Sequence, residues 1–207
     1  MGNNPFRYSD FLGDTLIPTG EGVDKFKNIT DNGTGGYYRT KILDNGAVIF
    51  DPTGKDGKMS DEQNAFYTRM NAVFTDKKKV KIEFVESDPS IITGSYANEK
   101  IDMGDVDKFA GGAIMTPYSM LAHEVIEQQG KQKKHLNYKS AHQLGVDAEA
   151  PITGYTRHAD YEIHNFVDDV DGPSGVVVFK YSKNNETVRV VLRISNGNIV
   201  NVIENAK

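Results

Sequence analysis

Residues 116–130 read TPYSMLAHEVIEQQG, and the fold turns on their forming a helix. Thr116 is a favourable N-cap, Pro117 falls at the first helical position where its missing N–H does no harm, and Gly130 supplies a stop. Such a helix sorts its residues by face. Tyr118, Leu121, Ala122 and Val125 form an apolar stripe. Met120, His123, Glu124 and Glu127 form the opposite one, which this pattern turns toward a cleft rather than toward the core. His123 and Glu127 stand at i and i+4, about 5–6 Å apart at Cβ, so both side chains can reach one ion. Glu124 is offset from His123 by about 100°, where it meets a water on that ion rather than the ion itself.

A second predicted helix runs from about Tyr138 to Ala150 and ends before Pro151. His142 lies fifteen positions past Glu127, enough chain to turn and return antiparallel, and Glu149 shares its face seven residues on. The assembled ligand set is His123, Glu127 and His142, with Glu149 either backing a ligand or standing in as an alternative one. Zinc accepts two histidines and one carboxylate, and keeps a further position open when it is catalytic.

The remaining sequence surrounds these helices with strands. Asp44-Asn45-Gly46 punctuates a hairpin, and SDEQ is a capping box that opens a helix at Ser60, with Phe66, Met70, Val73 and Phe74 facing the core. VKIEFVE alternates as a half-buried strand from Val80, and residues 90–109 read as another strand pair broken at Gly94 and around Asn98. After residue 172, three β-rich runs separated by turns at Asn184-Asn185 and Asn196-Gly197 make a meander. The expected class is therefore α+β, with a mixed sheet, an active-site helix and a second helix, then a C-terminal β meander. Residues 15–207 make one domain, with a β-rich portion from about 172 to 207, behind a leader at residues 1–14.

Composition narrows the function. A net charge of −5 leaves no electrostatic footprint for nucleic acid, and Lys77, Lys78 and Lys79 read as a solvated turn. The absence of cysteine removes disulfides, thiolate metal sites and a cysteine nucleophile. No apolar run approaches the ~20 residues needed to span a bilayer. Nor does the N-terminus carry the basic and apolar regions of a signal peptide.

The His123-Glu124 pair on its helix resembles the zincin metallopeptidases over roughly residues 78–150, with Glu127 where that family has its second histidine. The resemblance implies a zinc site in which Glu124 is the general base for hydrolysis of a protein or peptide. It also implies a sheet-edge strand over the cleft at residues 100–109. Glu127 as a ligand would weaken the ion as a Lewis acid and admit other divalent metals. Separately, Asn4, Pro5, Arg7, Tyr8, Asp10, Leu12 and Gly13 resemble the junction that closes the core of RHS/YD-repeat proteins, with Phe11 in place of a proline. That resemblance implies a bacterial polymorphic-toxin tip, exported or delivered as a secreted effector on a larger carrier and matched by an immunity protein.

Other readings stay open. The domain is an inactive zincin-like binding module if its site holds a structural ion or none. It is an ADP-ribosyltransferase if Arg39, on an early strand, serves a dinucleotide. His135, His158 and His164 read as surface residues, Tyr155 as a possible transition-state donor, and Asp168, Asp169 and Asp171 as an acidic turn.

Overall fold

In the computed structural model, which describes residues 16–168 and 170–206, the chain enters on β1 (Leu16–Thr19) and passes directly into α1 (Val23–Gly33). The leader at residues 1–14 lies outside the described residues. Sequence patterning does not announce α1, because Gly22 occupies the N-cap position without a side-chain bond. Burial of Phe26 and Ile29 holds the helix instead, and Phe26 stacks on Phe84 at 4.4 Å. β2 (Tyr38–Ile42) and β3 (Val48–Pro52) then pair antiparallel as the expected hairpin, with Gly46 at φ 83°. α2 (Asp61–Phe74) opens on the expected capping box: Gln63 N–H donates to Ser60 Oγ (3.2 Å) and Ser60 N–H to Gln63 Oε1 (2.9 Å).

β4 (Val80–Val85), β5 (Gly94–Ser95) and β6 (Lys100–Asp102) complete a mixed sheet of order β1-β4-β6-β5. β1 and β6 flank β4 in parallel, and β5 is antiparallel at the edge. This corrects the expected edge strand at residues 100–109. Only Lys100–Asp102 is strand, and it is interior; the chain then enters α3 (Met103–Asp107). Asp102 makes the switch, since its carboxylate accepts the N–H groups of Gly104 and Asp105 and so caps a helix where alternation suggested a strand.

α4 (Pro117–Lys134) carries the Thr116 capping box and runs past Gly130, where a stop was expected. A Cβ at residue 130 would stand 3.2 Å from Leu144 Cδ1, so the glycine admits the neighbouring helix rather than ending its own. The stop falls instead at His135, in the left-handed conformation (φ 53°). α5 (Tyr138–Thr153) packs on α4 and continues through Pro151 to a left-handed Gly154; the proline forfeits the bond to the Asp147 carbonyl, and burial of Ala148 and Ile152 holds the last turn in its place.

β7 (Thr156–Val167), β8 (Ser174–Lys183), β9 (Glu186–Ser195) and β10 (Asn198–Ala206) form an antiparallel meander in sequential order. The expected three strands are four, since residues 156–167, read as surface segments, make β7. The inner face of the meander joins the main core through Tyr181, Val190, Leu192, Ile194 and Ile199. The observed architecture is thus α+β: a mixed four-stranded sheet with helices, then a four-stranded antiparallel meander.

Candidate metal centre

Helix α4 brings His123, Glu124 and Glu127 to a face covered by α5, by the loop into β5 and by the meander. That face is buried, as the apolar one is, so α4 is enclosed nearly all round. Burying polar side chains costs free energy unless each finds a partner. The partners are present. His123 Nε2 lies 3.2 Å from His142 Nδ1 and 3.7 Å from Glu127 Oε2, and His142 Nδ1 lies 2.8 Å from Glu127 Oε2. One ligand atom from each of these residues falls within 4.8 Å of the others, and the group can hold a metal ion. Donors bound tetrahedrally at ~2.0–2.1 Å stand about 3.3 Å apart, and the three separations straddle that value.

Glu149 sits behind the cluster. Its Oε1 is 2.6 Å from His123 Nδ1, the ring nitrogen turned away from Glu127 and His142. Arg157 Nη1 donates to the same oxygen (3.0 Å) and the Tyr181 hydroxyl donates to the other (2.7 Å). Of the two roles that the sequence left open for Glu149, the geometry supports backing a ligand. A carboxylate on the far nitrogen fixes an imidazole's orientation and tautomer, as outer partners of metal-bound histidines do. Gly145 makes room for this arrangement, since a Cβ there would come within 3.0 Å of the His123 ring.

Glu124 faces the same cavity, with Oε1 2.8 Å from the Thr93 hydroxyl. Thr93 is β-branched yet left-handed (φ 56°), a strained conformation of the kind that gathers at functional sites. At Gly94 any side chain would collide with the Glu124 carboxylate. The cavity, of about 250 Å³, is lined also by Tyr138, whose ring stacks on His142 at 5.4 Å, and by Arg157.

Protonation follows from this packing. Burial pushes the Glu124 carboxyl above its ordinary range, and the charge of Glu127 adds to the push. Burial would also raise Glu127, but its bonds to His123 and His142 outweigh that and hold it low. Glu149 is likewise held low against burial, by His123, Arg157 and Tyr181. Burial works against a charged His123, yet the carboxylates of Glu127 and Glu149 lift it to about 9. Burial and the Tyr181–Glu149 contact place the Tyr181 hydroxyl well above its usual value.

The remaining candidates lie elsewhere. His135 ends α4, His158 and His164 are on β7, and Tyr155 lines no part of the cavity. Arg39 is exposed on β2 and is likewise absent from the cavity wall. Asp168 and Asp171 are exposed, and Asp169 lies outside the described residues. Sequence reasoning missed Thr93, Gly94, Tyr138, Gly145, Arg157 and Tyr181. Tyr138 was accessible, four residues before His142 on one helix face; the others reach the site only through tertiary packing.

The chain matches no family model, no curated protein and no solved structure. No helix among the described residues is long and apolar enough to cross a membrane.

Proposed function

We propose that the protein is a zinc-dependent hydrolase of the metallopeptidase kind, with His123, Glu127 and His142 as ligands and Glu124 as general base. One observation carries the reading: three mutually close donors and a separate buried carboxylate open into the same cavity. Charge supports it as well. Glu124, Glu127 and Glu149 together lift the proton affinity of His123, and a divalent cation in the cluster would take the place of that proton against the same carboxylates. Zinc in this set would supply the Lewis acidity that activates water toward a carbonyl. Glu124, held by Thr93, takes the proton of the attacking water and passes it to the leaving amine, a role that suits a carboxylate raised above its usual pKa. Glu149 keeps His123 oriented throughout. Delivery from a bacterium on an RHS-type carrier, with an immunity protein as partner, rests on the sequence of residues 4–13 alone.

The test is metal content of the purified protein by elemental mass spectrometry, beside His123→Ala, followed by hydrolysis of casein-type substrates. One equivalent of zinc is expected, lost in His123→Ala. Glu124→Gln is expected to keep the metal and lose about 10²–10⁴-fold in turnover. Full turnover by Glu124→Gln would remove Glu124 from the mechanism. Zinc without hydrolysis by the native chain would leave an ion-holding binding module, and consumption of a nicotinamide dinucleotide would move the reading to a transferase.

A further inference from the structure

The wall opposite the metal ligands is the inner face of the meander, and cross-strand register defines it. Ile163 of β7 pairs with Val177 of β8, which pairs with Leu192 of β9; Tyr161, Phe179 and Val190 form the adjoining row. Residues directly opposite across antiparallel strands share a face. Each row grades from closed to open: Val190 and Leu192 are 0% and 4% exposed, whereas Tyr161 and Ile163 are 57% and 52% exposed. A face patterned for burial is therefore left uncovered where it reaches the cavity.

A bulge extends this face. His164 pairs with Val176 and Val167 with Ser174, so Asn165 and Phe166 stand opposite Gly175 alone, with Asn165 at φ 50°. The extra residue breaks the two-residue alternation and turns Phe166 to the same side as Ile163, and both line the cavity. The Phe166 ring lies where a side chain at residue 175 would be, so Gly175 is what admits it. Of the exposed large apolar side chains among the described residues, four are on β7 and Tyr138 stands across the mouth; Val170 and Val200 lie elsewhere. A concentration of this kind marks a binding surface rather than ordinary scatter.

β7 is also an edge strand, paired only with β8, and residues 159–161 and 163–167 are exposed on both faces. Its outer backbone groups are positioned to pair with another extended chain. The cavity, about 250 Å³, falls below the ~300–1,000 Å³ of pockets that enclose a whole small molecule, and suits one side chain.

We infer that this cavity is the subsite for a bulky apolar side chain of an extended polypeptide, which lies along the edge of β7 and carries its neighbouring carbonyl to the His123–Glu127–His142 cluster. The apolar rows supply the selectivity and the strand edge supplies the backbone pairing. The proposal rests on the hydrolase reading for the identity of its occupant, but makes a claim about binding that can be measured without turnover.

The experiment uses the full chain carrying Glu124→Gln, loaded with zinc, and fluorescein-labelled peptides of extended Ser/Thr-rich sequence with Leu, Phe, Gly or Asp at one central position. Fluorescence anisotropy is expected to show the Leu and Phe peptides binding roughly tenfold or more tightly than the Gly peptide, in keeping with burial of one large side chain. Ile163→Asp and Phe166→Asp, each added to that background, should abolish the preference, and Ile163→Leu should retain it. Zinc content and the urea midpoint, unchanged in these surface variants, separate a lost subsite from a lost fold. Equal binding of all four peptides, a preference for Asp, or a Leu preference untouched by both aspartate variants would overturn the proposal. Zinc bound with no peptide binding overturns it while leaving the metal site standing. Selective binding without zinc retains the subsite and removes the hydrolase.

Discussion

The two walls of the cavity break opposite rules. On the α4–α5 side, ionisable groups are buried: His123, Glu124, Glu127 and Glu149 are all nearly inaccessible. On the β7 side, large apolar groups are exposed: Ile163 and Phe166 line the cavity and face solvent, and Tyr161 adjoins them in the neighbouring row of the sheet. Each wall is locally unfavourable, since buried charge costs desolvation and open apolar surface forgoes burial. Neither is a general weakness of the sequence, because the mixed sheet behind them alternates cleanly, with Val80, Ile82 and Phe84 buried and Lys81 and Glu83 exposed. Local rules fail on both sides of one cavity, a concentration expected when a site is selected for what it binds. A cation would satisfy the first wall, and an apolar side chain the second.

The comparison breaks most sharply at Glu149. Its carboxylate is shared by His123, Arg157 and Tyr181, which come from α4, β7 and β8. Glu149→Ala strands the Arg157 guanidinium and leaves two buried donors without an acceptor. Removing one partner of a buried ion pair costs about 3–5 kcal/mol, and a loss of that size is expected in urea unfolding with chelator present. Glu149→Gln, which keeps the shape and one acceptor, should lose less. If Glu149→Ala unfolds at the native urea midpoint, the polar wall is not held together by this carboxylate, and its charges are solvated in a way that the geometry does not predict.

Much of the polar wall was legible because it obeys helical spacing. His123, Glu127, His142 and Glu149 lie on two helices, where i, i+4 and i, i+7 relations fix shared faces before any tertiary contact is known. Their assembly needed only an antiparallel return. The apolar wall was not legible, for a physical reason. In TRHADYEIHNFV the charges of Arg157, Asp160 and Glu162 and the irregular pairing at residues 158–160 hide a two-residue period, and the bulge at Asn165 shifts its phase. Strand identity there depends on β8, which lies across a turn. α1 was hidden for a related reason, as its start has no side-chain cap, and Asp102 ended β6 by capping a helix after only three residues of strand. The N-terminal junction at residues 4–13 belongs to sequence alone.

The two walls face each other because carboxylates pin the meander to the helical half, and weakening these joints should perturb the cavity without touching either wall. Glu204 of β10 accepts the N–H groups of Ala113, Ile114 and Met115, just before α4, at 2.8–3.2 Å. A carboxylate in a nest of three backbone donors is a charge-assisted contact, stronger than a neutral hydrogen bond. Glu204→Ala is expected to cost about 1–3 kcal/mol, chiefly from the donors left without an acceptor. Hydrogen exchange offers the sharper measurement. The amides of residues 113–115 should lose protection in Glu204→Ala, while those of β4 keep theirs; uniform loss would show that the joint is part of the global core rather than a local fastening.

The second joint is Asp105, and its effect is the smallest because its contacts oppose its burial. One carboxylate oxygen accepts Ile199 N–H of β10 at 2.6 Å, and the other accepts Thr93 N–H at 3.1 Å, next to the strained residue that holds Glu124. Burial raises the group from 3.8 to about 6 against those two bonds, with the neighbouring charge of Asp102 adding to the rise. A carboxyl whose pKa is higher folded than unfolded binds more protons in the native state between those values, so unfolding stability must fall as pH rises through that window. The contribution is fully present below pH 3.8, declines up to about pH 6 and is flat above it. Urea midpoints of the native chain and of Asp105→Asn, compared across that range, isolate the group: the difference should depend on pH only within the window. At the same time, carboxyl chemical shifts should place the Asp105 midpoint near 6 rather than near 4. An ordinary midpoint would mean that water reaches the joint, and that the meander is free to swing away from Thr93 and open the cavity from the apolar side.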